Sequence, residues 1–153
     1  RQMCIRDRYK TGTTLTLRDG MIGRVYVRFV TDAGIDEMQL SGIAVDKKAP
    51  TKTKIKVNRS GIKTLKTSTK TSYNKKIKKS AKFVFSASYG ISGKSKTQYK
   101  IVPKGKKASK YRWKTANKIT YKKKNKKVSI YARFIDKCGN ITQRKSSGFY
   151  ITK

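Results

Sequence analysis

Chemistry has few residues to work with in this chain of 153 amino acids. It contains no histidine, which removes the usual general base and the commonest zinc ligand. Six of its seven acids (Asp7, Asp19, Asp32, Asp36, Glu37 and Asp46) precede Lys47, so Asp136 stands alone in the remainder. A paired-carboxylate mechanism needs two acids in one cleft, and that remainder has one. Asp32, Asp36, Glu37 and Asp46 carry oxygen ligands for calcium, but their spacing fits no EF-hand loop. Cys138 has no imidazole to activate it as a nucleophile and reads as a small residue in or beside a turn. Trp113 with Tyr111 would make a sugar-stacking platform. Its place at the start of an alternating segment instead favours packing in the core or at its edge. No enzymatic activity, metal or cofactor is expected.

Charge is what remains. The chain carries 41 Lys and Arg against 7 Asp and Glu, a net +34. Residues 47–153 hold 30 Lys and 4 Arg against Asp136 alone, a net +33. Three runs concentrate it: Lys75, Lys76, Lys78 and Lys79; Lys104, Lys106 and Lys107 around Gly105; and Lys122, Lys123, Lys124, Lys126 and Lys127, expected at an exposed hairpin tip. Lysines on strand edges block sheet-to-sheet aggregation, and that accounts for part of the excess. A net +33 exceeds what solubility requires. The last two runs are therefore the candidate contacts for polyanions, such as anionic cell-wall polymers or host glycans. Specific nucleic-acid recognition is not expected, because Lys outnumbers Arg 31 to 10 and no basic helix is evident.

These residues need a scaffold, and the pattern names one. Hydrophobic residues make up 35% and aromatics 10%, which supports a small core and argues against disorder. No apolar run approaches the 18 or so residues of a membrane-spanning helix. Period two dominates. Val128, Ile130, Ala132 and Phe134 alternate with Ser129, Tyr131, Arg133 and Ile135, and Phe83, Phe85, Ala87 and Tyr89 alternate with Val84, Ser86 and Ser88. Shorter alternations occur at Ile55 and Val57, Tyr99 and Ile101, Ile119 and Tyr121, and Phe149 and Ile151. About seven short strands with turn signals between them predict an all-β antiparallel sandwich.

A repeat of about 105 residues organises the chain. Val25-Tyr26-Val27-Arg28-Phe29-Val30 lies over Ile130-Tyr131-Ala132-Arg133-Phe134-Ile135, and Ser41-Gly42-Ile43 over Ser147-Gly148-Phe149. Tyr9 lies over Trp113, and Lys47 over Lys153. Residues 9–47 are then expected to be the C-terminal part of one module, 48–52 a linker set by Pro50, and 53–153 a nearly complete second module. Both ends are expected to be cut. Arg1-Gln2-Met3-Cys4-Ile5-Arg6-Asp7-Arg8 resembles the translation of a sequencing adaptor, which would leave Cys4 without meaning and Cys138 with no disulfide partner.

The run Tyr131-Ala132-Arg133-Phe134-Ile135-Asp136-Lys137-Cys138-Gly139-Asn140, followed by Ser147-Gly148-Phe149-Tyr150-Ile151, resembles bacterial immunoglobulin-like repeat modules of Gram-positive surface proteins. Asp46-Lys47-Lys48-Ala49-Pro50 resembles the linker between such modules. The first copy departs from the motif, with Thr31 and Ile35 at the positions of Asp136 and Asn140. Asp136, Gly139 and Asn140 are expected to build a structural turn, with the carboxylate on local backbone and Gly139 at positive φ. The resemblance implies an extracellular or cell-surface location, neighbouring modules of the same chain as partners, and a stalk or spacer role. A dedicated polyanion- or nucleic-acid-binding domain is the alternative, and a carbohydrate-binding module the third reading.

Overall fold

A computed structural model describes residues 11–12, 14–58, 64–65 and 75–152. The adaptor-like stretch 1–8, and the Tyr9 and Lys153 ends of the repeat, lie outside the described residues. The chain divides into two compact units, Arg1–Lys47 and Lys48–Lys153. Strands make up the regular structure of both. Among the described residues, the helical structure amounts to one 3-10 turn at Ala108–Lys110, and no helix is long and apolar enough to cross a membrane.

The first unit is a hairpin. Strands β1 (Ile22–Thr31) and β2 (Gly34–Ala44) pair antiparallel around a two-residue turn, Asp32-Ala33. Alternation puts Val25, Val27 and Phe29 on one face, opposite Leu40, Met38 and Asp36. The other face carries the cross-strand pair Arg28–Glu37, with a 2.6 Å ion pair. Half-exposed pairs of this kind contribute about 0–1 kcal/mol. Phe29 remains 51% exposed.

The second unit contains ten strands among the described residues: β3 (Thr51–Asn58), β4 (Thr64–Leu65), β5 (Lys75–Lys78), β6 (Ala81–Ser88), β7 (Lys94–Pro103), β8 (Lys114–Thr115), β9 (Lys118–Tyr121), β10 (Val128–Asp136), β11 (Ile141–Lys145) and β12 (Phe149–Thr152). They form two sheets. One runs β4-β3-β6-β9, and the other β5-β12-β10-β7-β8, with β11 also on β10. Pairing is antiparallel except between β5 and β12, which run parallel. The inward residues of both sheets meet in one core. Phe83 and Phe85 from the first sheet pack with Ile130, Ala132, Phe134, Phe149 and Ile151 from the second. Rings lock the two together: Phe83 lies 5.0 Å from Phe149, and Tyr121 meets Phe149 edge-on at 5.7 Å. Burying each large apolar side chain contributes about 1.5–3 kcal/mol, so this core stabilises the unit far more than any surface ion pair.

The strand count exceeds the expected seven for a visible reason. The last strand is broken into β11 and β12 at Ser146-Ser147-Gly148, and β4 and β8 are two-residue edge pieces. Ser146 sits at the break, fully buried. Its backbone N–H donates to the Ile130 carbonyl at 2.8 Å, and its Oγ accepts the Ile130 N–H at 2.9 Å. The hydroxyl thus stands in for a ladder carbonyl while the strand bends. The segment 48–52 runs directly into the first strand of the second unit. Strand β3 begins at Thr51, Pro50 is buried, and the Pro50 carbonyl accepts the Thr142 hydroxyl at 2.6 Å. Lys52 adopts φ 47° beside a register shift between Thr51 and Lys54, so a bulge accommodates the irregular entry.

Candidate polyanion-binding surface

Topology gathers what the sequence spreads out. Strand β10 starts at Val128, opposite Pro103 at the end of β7, and the Lys104 N–H donates to the Lys127 carbonyl at 2.9 Å. This places the 104–107 turn against the 122–127 segment. That segment also runs beside the end of β12: Lys124 bridges Ile151, and the Asn125 N–H donates to the Ile151 carbonyl at 2.8 Å. On the far side of β12, Lys78 pairs with Thr152, and the Lys79 N–H donates to the Thr152 carbonyl at 3.1 Å. Lys78, Lys79, Lys104, Lys106, Lys107, Lys122, Lys123, Lys124, Lys126 and Lys127 therefore share one end of the sandwich, and all are exposed. Strands are about 4.8 Å apart, so the four strands β5, β12, β10 and β7 fan these lysines over about 15 Å.

The expected hairpin at 122–127 is not one. Strand β9 belongs to the four-stranded sheet and β10 to the other, so the segment crosses between sheets. Its lysines consequently span both layers. Sequence alternation identified the flanking strands but carries no information on which sheet each joins. Of the first run, Lys76 and Lys78 are exposed and flank Ile77, which is 1% exposed, so β5 is a half-buried edge strand whose outer face is basic.

Among the described residues of 48–153, no acidic side chain lies at this end. Asp136 is the sole acid of residues 48–153, and it lies at the opposite end of β10, about 27 Å away at about 3.4 Å per residue. There it is 1% exposed. Its Oδ1 accepts the Asn140 N–H at 2.8 Å, and its Oδ2 accepts the Asn140 side-chain amide at 2.9 Å. The Gly139 N–H donates to the Asp136 carbonyl at 3.2 Å, with Gly139 at φ 86°. Asp136, Gly139 and Asn140 thus close the β10–β11 turn on itself, with Cys138 exposed at its tip. Among the described residues, no three acids or cysteines come together in a way that would hold a metal ion.

Trp113 departs from expectation. It is not part of the buried core. It lies half-buried just before β8, whose residues pair with β7. Lys100 Nζ sits 4.5 Å and the Arg133 guanidinium 4.6 Å from its ring centroid. Lys100 and Arg133 alternate with the core residues Tyr99, Ile101, Ala132 and Phe134, so Trp113 caps the outer face of the larger sheet. The period-two pattern was the available signal, since it marks Lys100 and Arg133 as neighbours pointing away from the core. In comparisons with known proteins, no family model, curated protein or solved structure matches this chain.

Proposed function

We propose that residues 48–153 are an immunoglobulin-like structural and adhesive module, a stalk or spacer, of an extracellular bacterial surface protein, and that its lysine-rich end holds anionic polymers without reading them. The observation that carries the binding half is the convergence of lysines from three runs on one end of the sandwich, away from Asp136, the sole acidic side chain of 48–153. Exposed lysines are mobile, strongly hydrated point charges, suited to attracting phosphate or sulfate rather than to fixing its geometry. The immunoglobulin-like half is supported by the two facing, almost wholly antiparallel sheets, β4-β3-β6-β9 and β5-β12-β10-β7-β8, that share one core. The surface location and spacer role rest on the resemblance of the Asp136–Asn140 turn and its flanking residues to repeat modules of Gram-positive surface proteins.

Titration of the full chain with duplex DNA, heparin and teichoic acid at several salt concentrations tests the binding. Affinity should fall steeply with salt for all three, with a slope near −0.9 per phosphate contacted on DNA. Replacing Lys122, Lys123 and Lys124 by Gln should flatten each slope to a similar degree. Tight binding to one polymer that persists at high salt would refute a non-specific surface.

A further inference from the structure

The lysine-rich end is not the only basic surface; the outer face of the larger sheet is built differently. Register places Tyr131 between Lys100 on β7 and Lys145 on β11, and Arg133 between Gln98 and Gln143. These side chains are held. Arg133 Nε donates to Gln98 Oε1 at 2.7 Å, and Gln98 Nε2 donates to Thr115 Oγ1 at 3.2 Å. Lys100 Nζ donates to the Ala108 carbonyl at 2.7 Å while lying over two rings, 4.5 Å from the Trp113 centroid and 5.7 Å from that of Tyr131. Lys145 Nζ lies 5.7 Å from the Tyr131 centroid on the other side of the strand pair. Arg133 completes the set, 4.6 Å from the Trp113 centroid.

Three like charges on neighbouring strands repel one another, and the sole acid of 48–153, Asp136, lies three residues along β10 from Arg133 with both carboxylate oxygens engaged by Asn140. Rings and amides offset part of that repulsion and fix where the cations lie. We propose that this face is a second, pre-organised site, distinct from the lysine-rich end, that binds an acidic polysaccharide through its carboxylate or sulfate groups. The cations present the anion-binding charge. Arg133 Nε is committed to Gln98, which orients its planar terminal nitrogens as a two-pronged donor for an oxyanion. Cross-strand neighbours repeat at about 4.8 Å and like-facing residues along a strand at about 6.8 Å, a spacing suited to anionic and hydroxyl groups on adjoining sugar rings. Gln98, Gln143 and Thr115 add amide and hydroxyl partners for sugar hydroxyls, which a bare phosphate chain would leave unused. Nucleic acid fits less well, because cations already lie over the rings on which its bases would stack.

Trp113 is the only tryptophan in the chain, and its contacts with Lys100 and Arg133 make its fluorescence a reporter on this face. The experiment titrates the full chain with a sulfated hexasaccharide, its desulfated counterpart and a short DNA duplex, each followed by tryptophan fluorescence and by calorimetry. The sulfated sugar should produce a saturable fluorescence change. Lys145→Gln and Arg133→Lys should each weaken that binding by about tenfold, while replacing Lys122, Lys123 and Lys124 by Gln leaves the change in place. Arg133→Lys keeps the charge and loses the fork, and Lys145→Gln leaves the Arg133–Gln98–Thr115 hydrogen bonds in place, so either variant serves if the other unfolds. Calorimetric binding without a fluorescence change would overturn the proposal and leave the lysine-rich end as the binding surface. So would a fluorescence change that DNA matches, or one that neither variant weakens. A fluorescence change with the sulfated sugar in a protein that fails to bind DNA at any salt would support this site while refuting the non-specific one.

Discussion

Replacing Ser146 by Ala should destabilise residues 48–153 by about 1–3 kcal/mol, although it removes a single oxygen. The Ser146 hydroxyl accepts the Ile130 N–H at 2.9 Å, where a ladder carbonyl would otherwise sit. Both residues are fully buried, so no water reaches the N–H once the hydroxyl is gone. The cost is therefore that of an unsatisfied buried donor and not merely of one hydrogen bond. The cavity contribution is small, because the methyl group of Ala fills nearly the same space. Urea unfolding followed by Trp113 fluorescence measures the effect within the second unit. The midpoint should fall while the slope stays constant, because neither end state changes its exposed surface. Thermal unfolding should drop by about 4–8 °C per kcal/mol. The Ile130 amide should also lose hydrogen-exchange protection relative to Ala132. A loss below about 0.5 kcal/mol would mean that Ser146 does not hold the break between β11 and β12.

Four further outcomes are expected. Burial raises the pKa of Tyr121, so its contribution to stability is complete below the unfolded value near 10 and disappears as pH rises through the folded value; Tyr121→Phe should flatten alkaline unfolding measured between pH 9 and 12. Asp136→Ala removes an acceptor of two Asn140 donors and should cost about 1.5–3 kcal/mol in denaturant unfolding, with Asp136→Asn costing less. Raising salt from 10 to 100 mM shortens the screening length from about 30 to about 10 Å, so the unfolding midpoint of a chain with net +33 after residue 46 should rise in a salt series. Amide hydrogen exchange on separate fragments should show cooperative protection in 50–153 and almost none in 9–47, because an isolated hairpin is marginal in water; slow exchange in 9–47 would place the module boundary elsewhere.

Strand interiors were the readable part of this fold. In β10, alternation separates Val128, Ile130, Ala132 and Phe134, each at most 2% exposed, from Tyr131 and Arg133, whereas Ser129 and Ile135, on the same outward alternation, are also buried, at 2% and 8%. The same reasoning works in β6, where Ala81, Phe83 and Phe85 are buried and Lys82 is exposed. Period two follows from backbone geometry, so it survives without knowledge of partners. Partner choice does not follow from it. Nothing local to Lys122–Lys127 says that β9 and β10 join different sheets, or that β12 will run alongside that segment. The Ser146 break was equally hidden, since a buried Ser that substitutes for a carbonyl looks like any polar residue near a strand end. Trp113 was expected in the core or at its edge because it stands at the start of an alternating segment. Its ring covers an outer face whose membership depends on the β7–β8 register.

The two basic surfaces follow from one constraint. A sandwich this small commits the inward half of each strand to its core, so charge is confined to loops, edges and outward faces. Loops leave lysines unfixed, and the end built from 78–79, 104–107 and 122–127 has density without geometry. Outward positions on central strands are fixed by register, and there Lys100, Arg133 and Lys145 have defined neighbours in Trp113, Tyr131 and Gln98. The one acid that would neutralise either surface is spent on Asn140, inside the turn it closes. Position in the fold, rather than residue type, therefore separates charge suited to capture from charge suited to discrimination.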